Sequence, residues 1–294
     1  MNLQTYLESR LSPASCKIYL FEIHHFISYF GKEKSEVASH QDIINYLNYL
    51  RGHYQNGGTI NRIIQAIKQY FFYLTETGKR EDHPCRFLSI KDRQVNQIQV
   101  QDLLKPTDLE SLLNRKERYE ILTIRNQVVM SLLVYQALRI REICGLTISS
   151  LDLEKGRIKI KATPKTNGRT LSLKPNQILL FYKYLNEIRK KLLKERNLSA
   201  GGMTEALIIT KAGTAEKGEG IHYLVSTFRK QLPDKKLTPT TIRQSVITNL
   251  LAAGTDLRIV QVFAGHKKPG ATEKYRQTNF DALKEAVHKF HPLN

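Results

Sequence analysis

The chain has 294 residues and a formal net charge of +19, with 46 Lys or Arg against 27 Asp or Glu. This length fits two domains better than one, and basic residues spread along a whole chain are typical of a protein that binds a polyanion. The sequence has no run of about 18 apolar residues, which excludes a transmembrane helix, and its N-terminus does not match a secretory signal. We therefore expect a cytoplasmic protein.

Nucleic acid is the polyanion that the composition favours. Binding to an anionic membrane typically uses a basic amphipathic helix with Trp or Phe anchors. We find no such helix, and the chain contains no Trp. The alternative is a basic protein that is merely soluble.

Nothing in the sequence predicts a metal site or a cofactor. The three cysteines, Cys16, Cys85 and Cys144, lie far apart and lack CxxC spacing, which argues against a disulfide framework and against a zinc site. No HExxH motif, paired-carboxylate box, His cluster or GxxxxGK[ST] loop is present. We expect chemistry that uses neither metal nor ATP.

Residues 1–94 are predicted to form a small helical bundle. Ser12 can cap a helix that has Pro13 at its first position, and CKIYLFEIHHFISYF continues it with apolar residues at helical spacing. HQDIINYLNYLRGHY is predicted as a second helix that ends at the turn QNGG, residues 55–58. TINRIIQAIKQYFFYLTETG is a third, which Gly78 closes.

Residues 95–106 lack strong periodicity and are predicted to link the bundle to a second domain, residues 107–294. Thr107 and Glu110 have the spacing of a capping box that would begin this domain. Helices are then predicted up to residue 113 and across residues 125–146.

A β-hairpin interrupts the helices of the second domain. The segments GRIKIKA and RTLSLK alternate polar and apolar residues, and the turn residues TPKTNG separate them. Helices resume at PNQILLFYKYLNEIRKKLLKERN and continue, after a loop at 200–220, to the C-terminus. The expected fold class is mainly α: a helical bundle, followed by a mixed, mostly α domain with a small antiparallel β-sheet.

Two arginines of the second domain are candidates to bind an anion. Arg139 follows an apolar segment that predicts burial nearby, and a buried Arg requires an anion because it does not deprotonate. Glu142, one helical turn further on, is spaced to orient it. Arg243 lies one turn into a predicted helix, whose free N-terminal amides favour anions. Taken singly, each arginine is more often an ordinary solvated side chain.

Three other side chains are candidates for chemistry. Lys165 lies at the hairpin tip, from which a lysine can reach into a groove, and Lys161 and Arg169 are its rivals. His266 follows a glycine at a predicted helix end. Tyr275 comes nine residues later, among several Lys and Arg residues. Each of these, considered alone, fits a solvated or packing role as well.

The order and spacing of these elements are far more specific than any one of them. Arg139-Ile-x-Glu142 comes first, followed by a hairpin lysine, TPxxIR ending at Arg243, GTDLRxVQxxxGH ending at His266, and then Tyr275. Over nearly the whole chain this set resembles the tyrosine recombinase family, which includes phage integrases and Xer-like recombinases. The resemblance implies that residues 1–94 are a core-binding, SAM-like DNA-binding domain and that residues 107–294 are a catalytic domain.

The resemblance also implies a role for each candidate. Arg139 and Arg243 would clamp the scissile phosphate, and His266 would donate a hydrogen bond to it. Lys165 would protonate the leaving 5′ oxygen. Tyr275 would attack phosphorus and form a 3′-phosphotyrosyl link.

The chain departs from the family pattern around the second arginine. Where the family usually has His-x-Leu-Arg-His, this chain has TTIRQ at residues 240–244. Thr240 can donate a hydrogen bond to a phosphate oxygen, but it cannot shuttle protons near neutral pH. We retain Thr240 among the catalytic candidates and expect Glu142 and Gln244 to support the site.

The resemblance implies that the partner is double-stranded DNA at a specific site. A homo-tetramer would hold two such sites and exchange strands in pairs through a Holliday junction. A predicted C-terminal helix, residues 280–290, has Phe280, Leu283, Val287 and Phe290 along one face. The resemblance implies that it docks into a neighbouring protomer, and packing on its own domain is the alternative.

Within the bundle, Lys17, Arg62 and Lys68 are our candidates for DNA contact, because their predicted helices resemble the groove-facing helices of core-binding domains. Each alone is better explained as part of a solvated helix face. Affinity for DNA is expected to fall steeply with salt if many such contacts form.

Site-specific DNA recombination is therefore the function that the sequence favours, serving integration, excision or resolution of a mobile element or replicon. The length favours an Xer-like or transposon-resolving enzyme over a large phage integrase. A catalytically weak or inactive DNA-binding protein on a recombinase scaffold is one alternative, motivated by Thr240. A type IB topoisomerase-like enzyme, which shares the tyrosine chemistry, is the other.

Overall fold

The computed structural model of the protein describes residues 2–90, 98–194 and 204–276. The chain divides into two compact units, Met1–Gln97 and Ile98–Asn294. The expected fold class is confirmed, since the described elements are helices apart from one three-stranded antiparallel sheet. Within the described ranges, no helix combines the length and apolar character needed to cross a bilayer.

The first unit is a bundle of five helices in its described part: α1 (Leu3–Glu8), α2 (Pro13–Phe30), α3 (Lys32–Val37), α4 (His40–His53) and α5 (Gly57–Glu76). Helix α2 begins with the side-chain cap that the sequence predicts. Ser12 caps α2 with Pro13 in its first turn, and Ser39 and Asp42 form a reciprocal capping box on α4. An apolar core rich in Phe and Tyr fills the space between α2, α4 and α5.

Two features of the bundle differ from the sequence prediction. The helices α1 and α3 were not predicted, because six residues are too few to show helical periodicity. The predicted turn at 55–58 is the start of α5, because the Asn56 side chain accepts a hydrogen bond from the Gly58 N–H at 2.8 Å and so caps the helix.

The second unit begins with α6 (Pro106–Ser111), α7 (Glu120–Tyr135) and α8 (Ile140–Cys144). Three short strands follow: β1 (Leu151–Asp152), β2 (Arg157–Ile160) and β3 (Arg169–Ser172). The remaining helices are α9 (Pro175–Lys183), which continues through a π-helical turn (Tyr184–Ile188) into α10 (Arg189–Lys194), then α11 (Gly218–Thr227), α12 (Pro239–Ala252), α13 (Leu257–Ala264) and α14 (Gly270–Arg276). Helix α7 is buried along most of its length in the core of this unit.

The predicted hairpin is confirmed as β2 and β3, which pair antiparallel with Ile160 opposite Arg169. Alternation along the strands turns Ile158, Ile160 and Arg169 inward. Ile160 and the charged Arg169 therefore enter the core side by side. The alternation of polar and apolar residues does not explain why an arginine is buried there.

Part of the predicted linker, residues 95–106, lies in the second unit. Leu104 is 1% exposed, its N–H donates to Ser245 Oγ at 2.8 Å, and its carbonyl accepts from Asn249 at 3.1 Å. Both partners are on α12. The buried Leu104 side chain and its two backbone hydrogen bonds therefore attach this part of the chain to α12, the helix that carries Arg243. The domain boundaries themselves stay a prediction.

The start of the next helix also differs from the predicted capping box at Thr107 and Glu110. Helix α6 begins at Pro106, and the Asp108 carboxylate accepts from the backbone N–H of Lys105 at 2.9 Å. Pro106 fixes the first helical position because its φ is preset and it has no N–H to satisfy, so the cap falls two residues earlier.

Candidate active site

Arg243 ties three separate segments of the second unit together. It lies one turn into α12, which Thr238 caps, and it is 5% exposed. Its guanidinium donates to the carbonyl of Ala137, to the carbonyl of Ala264 at 2.6 Å, and to His266 Nε2 at 3.1 Å. The predicted site arginine is therefore buried and fully oriented.

The carbonyl of Ala137 reaches Arg243 because the chain leaves its helix just before it. The helix predicted across 125–146 is broken: α7 ends at Tyr135, and α8 begins at Ile140. Ala137, between them, has φ of 49°, in the left-handed region that residues with a Cβ rarely adopt. Such a conformation costs about 1–3 kcal/mol and persists where the surroundings fix it.

Arg139 therefore begins α8 instead of lying late in a long helix. Its side chain is exposed. The contact with Glu142 differs from the predicted one, because Glu142 Oε2 accepts from the backbone N–H of Arg139 at 2.9 Å and so holds the main chain. Arg139 is nonetheless close enough to lower the pKa of Arg243 and of His266.

Arg169 is the partner of the Glu142 carboxylate, a role that the sequence did not predict. Its two terminal nitrogens donate to Oε1 and Oε2 at 2.8 and 3.0 Å, and both side chains are almost completely buried. The usable signal was the alternation of β3, which turns residue 169 inward. An inward arginine requires a buried anion, and Glu142 is that anion.

His266 is held as a neutral imidazole at the end of α13. Gly265 terminates that helix with φ of 67°, a conformation that suits glycine. His266 is 4% exposed, and since Arg243 donates to Nε2, the proton lies on Nδ1 and is donated to Thr272 Oγ1 at 2.8 Å. Burial, and then the charges of Arg243 and Arg139, lower the pKa of His266 to about 4.

The lowered pKa of His266 predicts a loss of stability in weak acid. The unfolded histidine takes up its proton near pH 6.5 and the folded one near pH 4, so the unfolded state binds more protons between these values. The free energy of unfolding should therefore fall as pH drops from 6.5 towards 4, by at most about 1.4 kcal/mol per pH unit from this group. Denaturant titrations at pH 7 and pH 5 measure it.

The His266→Gln variant should lose part of this pH dependence, whereas the exposed His222→Gln should keep it. An NMR signal of His266 that titrates near pH 6.5 in the free protein would contradict the buried, neutral imidazole.

The hairpin tip is bonded to the same turn as His266. Thr166 pairs with His266, and the N–H of Asn167 donates to the carbonyl of Gly265 at 3.0 Å. Lys165, directly before Thr166, is exposed. The structure thus brings the predicted lysine beside the histidine turn, whereas Arg169 is turned inward to Glu142.

Tyr275 lies on α14 and stacks against His266. The two ring centroids are 5.9 Å apart with an interplanar angle of 16°. The ring also packs against a small apolar cluster of Ile247, Val260 and Ala264 on α12 and α13. Tyr275 thus stands beside the histidine that Arg243 orients.

Thr240 and Gln244 flank Arg243 on α12. Thr240 is exposed in the first turn, three residues before Arg243 and so on a neighbouring part of the helix surface. Gln244 is half-buried. The threonine next to Thr240, Thr241, is buried and serves the helix cap, with its N–H donating to Thr238 Oγ1 at 3.0 Å.

The charges around His266 are unbalanced in favour of an anion. In the described chain, the guanidiniums of Arg139 and Arg169 and the carboxylate of Glu142 act on both Arg243 and His266, and Arg243 also acts on His266. Burial and the charge of Arg139 lower the pKa of Arg243 to about 10. Arg243 therefore stays protonated at neutral pH, although the neighbouring Arg139 repels its positive charge. A bound phosphate would relieve that repulsion and receive charge-assisted hydrogen bonds.

This imbalance predicts that inorganic phosphate stabilises the protein. At ten times its Kd, an anion that binds only the folded state adds about 1.4 kcal/mol, which shifts the Tm of a unit of this size by a few degrees. Thermal unfolding in phosphate, against sodium chloride of equal ionic strength, measures the shift. Arg139→Ala should show a smaller shift, and an equal shift in both proteins would indicate a non-specific salt effect.

The three DNA-contact candidates of the first unit have different surroundings. Lys17 is exposed on α2. Arg62, on α5, donates to the buried carboxylate of Glu22 at 3.0 Å. Lys68 is half-buried and donates to the carbonyl of Arg86 at 3.0 Å. Their contact with DNA stays a prediction.

Two further predictions meet the limits of the described ranges. The C-terminal helix at 280–290, with Phe280, Leu283, Val287 and Phe290, lies outside them. Among the residues that the structure describes, no group of three or more His, Cys, Asp or Glu side chains is arranged to hold a metal ion.

Family models match almost the entire chain. Residues 77–282 match the model of the phage integrase family, and residues 3–78 match the model of the phage integrase N-terminal SAM-like domain. The tyrosine recombinase XerD of Listeria monocytogenes serovar 1/2a is 27% identical over 292 residues, covering 97% of this chain and 95% of the relative.

Two solved recombinase structures share the fold. The XerH site-specific recombinase bound to palindromic difH substrate, a post-cleavage complex, has a TM-score of 0.73 at 20% identity, covering 93% of this chain and 79% of that one. The Tn1549 transposon integrase in complex with transposon right end DNA has a TM-score of 0.66 at 17% identity, covering 99% of both chains.

Proposed function

The chain belongs to the phage integrase family and is a tyrosine-type site-specific recombinase, and from this premise we propose that it cleaves and rejoins DNA through a covalent link to Tyr275. The DNA would be double-stranded and the site specific. The solved relatives that carry DNA support this partner.

The observation that supports the proposal best is the convergence of four segments on one imidazole. Arg243 donates to His266, the hairpin that carries Lys165 pairs with the His266 turn, and Tyr275 stacks on the His266 ring. Arg139 is near enough to perturb the pKa of both His266 and Arg243. The residues that we propose as nucleophile, cations and proton donor therefore come from segments that meet at His266, which supports a shared role in phosphodiester cleavage.

In the proposed step, the Tyr275 oxygen bonds to the scissile phosphorus and releases its proton to solvent water, while the bond from phosphorus to the 5′ oxygen breaks. Arg139 and Arg243 bind the non-bridging oxygens, with the Thr240 hydroxyl as a further donor. His266 becomes a donor to the phosphate when it exchanges its contact with Arg243 or Thr272 for one with a phosphate oxygen. Lys165 donates a proton to the leaving 5′ oxygen. The 5′ hydroxyl of another strand then attacks the 3′-phosphotyrosyl ester and frees Tyr275, so the phosphoester energy is conserved and ATP is not consumed.

At the level of the assembly, we propose a homo-tetramer on two DNA sites that works through a Holliday junction. The segment at 280–290 would exchange between protomers. Integration, excision and resolution all fit this chemistry. The bacterial relatives support a cytoplasmic, DNA-associated enzyme.

The test is direct trapping of the covalent intermediate. Purified protein is incubated with nicked duplexes tiled across the DNA that flanks its gene, with chelator present, and denaturing gels are scanned for a protein–DNA adduct. We expect an adduct at one site or one pair of sites. Specific binding without any adduct would favour the alternative that Thr240 motivates, a catalytically weak or inactive DNA-binding protein. Relaxation of supercoils without strand exchange would favour a topoisomerase-like enzyme.

A further inference from the structure

Arg169 and Glu142 form a buried ion pair next to the proposed site. Both terminal nitrogens of the guanidinium bind the carboxylate, at 2.8 and 3.0 Å. Burial raises the pKa of Glu142, but the hydrogen bonds and charge of Arg169 outweigh it and leave the pKa lowered, so Glu142 is a carboxylate at neutral pH. Arg169 is therefore what keeps this anion stable in the interior.

Glu142, which Arg169 holds in place, in turn binds the backbone of Arg139. Its Oε2 accepts from the Arg139 backbone N–H at 2.9 Å, at the point where the chain enters α8. That entry follows the strained Ala137, in the break between the end of α7 at Tyr135 and the start of α8 at Ile140. Through this bond, the Arg169–Glu142 pair helps to hold the backbone of Arg139 at the start of α8.

Arg169 also lies directly against the turn that carries His266. A Cβ added to Gly265 would lie 2.5 Å from Arg169 Nη1 and 3.1 Å from the carbonyl oxygen of Asn167. The guanidinium thus packs on the bare backbone of Gly265, one residue before the histidine. The position of this turn therefore depends on where the guanidinium sits.

We propose that Arg169 is a positioning residue for the cleavage reaction: its bidentate bond to Glu142, made against the Gly265 turn, sets the relative positions of Arg139 and His266. This inference rests on the proposed function, since it concerns the same site. Arg169 does not touch DNA in this proposal. It acts through the backbone of two groups that would.

The shape of the arginine matters because a lysine carries the same charge without the fork. A guanidinium binds both carboxylate oxygens in one plane, whereas an ammonium is a point charge. Arg169→Lys therefore separates charge from geometry, and Arg169→Gln removes both.

The chain supplies a matched control. Arg125 and Glu216 form a second buried ion pair in the same unit, and Arg125 also donates to the carbonyl of Ile209. These contacts join α7 to the segment before α11, away from the Gly265 turn. Arg125→Lys should lower stability in a comparable way without moving the site.

The experiment measures two quantities on the full-length chain, at a temperature where every variant is folded. The first is the rate of adduct formation on a nicked duplex that the wild type cleaves. A displacement of about 1 Å can cost about 10²-fold in rate, so we expect that loss for Arg169→Gln, a smaller loss for Arg169→Lys, and little change for Arg125→Lys.

The second quantity is the pKa of His266 by NMR in the free protein, which needs no DNA and no activity. His266 is faced by Arg243 from α12, Arg139 and Glu142 from α8, Arg169 from β3, and the Tyr275 ring from α14. Arg169→Gln should raise the pKa towards its ordinary value, because a cation is lost, while Arg169→Lys should leave it low.

The outcomes separate this inference from the proposed function. If all three variants lose stability but form adducts at the wild-type rate, Arg169 is only structural and the inference is wrong. If the wild type forms no adduct on any duplex, the proposed function fails, and an unchanged His266 pKa in Arg169→Gln would reject the positioning role independently.

Discussion

The Tyr275→Phe variant will bind the same DNA site as the wild type and form no covalent adduct with it. The substitution removes one oxygen, the proposed nucleophile, and leaves the ring that stacks on His266 at 5.9 Å and packs against Ile247 and Val260. Stability should change by no more than about 1 kcal/mol, because no apolar contact is removed. Denaturing gels report the adduct, and gel shifts report binding.

Tyr223→Phe is the matched control, since this tyrosine lies exposed on α11 of the same unit. It should form the adduct at the wild-type rate. A surviving adduct in Tyr275→Phe would mean that another hydroxyl attacks phosphorus, and peptide mapping of the linked DNA would identify it. Loss of binding together with the adduct would mean that Tyr275 shapes the site and would leave its nucleophilic role unproven.

The elements that local sequence determines were predictable. Caps and periodicity gave α2, α4 and α5, and the turn-separated alternation gave the β2–β3 hairpin. Arg243 likewise lies one turn into α12, and Gly265 ends α13, as the sequence predicts. Each of these signals depends only on residues a few positions apart, so it can be recognised in a single sequence.

The sequence singled out the residues of the candidate site but did not predict their contacts. Spacing and family resemblance singled out Arg139, Arg243, His266 and Tyr275, and the structure brings them together. The sequence could not reveal that Glu142 binds Arg169, because those residues are 27 positions apart and meet only when α8 packs on the hairpin. Periodicity and spacing along the chain do not predict a contact between residues so far apart.

The break between α7 and α8 was hidden for a related reason. The segment YQALRIRE contains neither Gly nor Pro, and its propensity favours a continuous helix. Ala137 nevertheless takes a left-handed conformation, and its carbonyl is satisfied by Arg243, 106 residues further along the chain. A distant buried donor here overrides the local preference, and the result is that Arg139 emerges at the surface.

Substitution of Arg243 is expected to have the largest combined effect on stability and activity. Arg243→Gln would leave the carbonyls of Ala137 and Ala264 and the Nε2 of His266 without their buried donor. Each buried group left unsatisfied costs about 1–3 kcal/mol and three groups are affected, so we expect a loss of at least about 3 kcal/mol in the free energy of unfolding, measured by denaturant titration. Removing one charge-stabilising donor also lowers cleavage about 10²–10³-fold, measured as the rate of adduct formation.

Arg243→Lys distinguishes these two effects because it retains the charge but cannot reach three acceptors at once. Arg125→Gln, which removes a buried arginine from its ion pair with Glu216, controls for the loss of a buried arginine away from the site. If Arg125→Gln loses as much stability as Arg243→Gln yet forms adducts normally, the catalytic loss in Arg243→Gln belongs to the site. If Arg243→Lys cleaves as fast as the wild type, then the positive charge suffices, and the ordered guanidinium that joins Ala137, Ala264 and His266 serves the fold and not the phosphate.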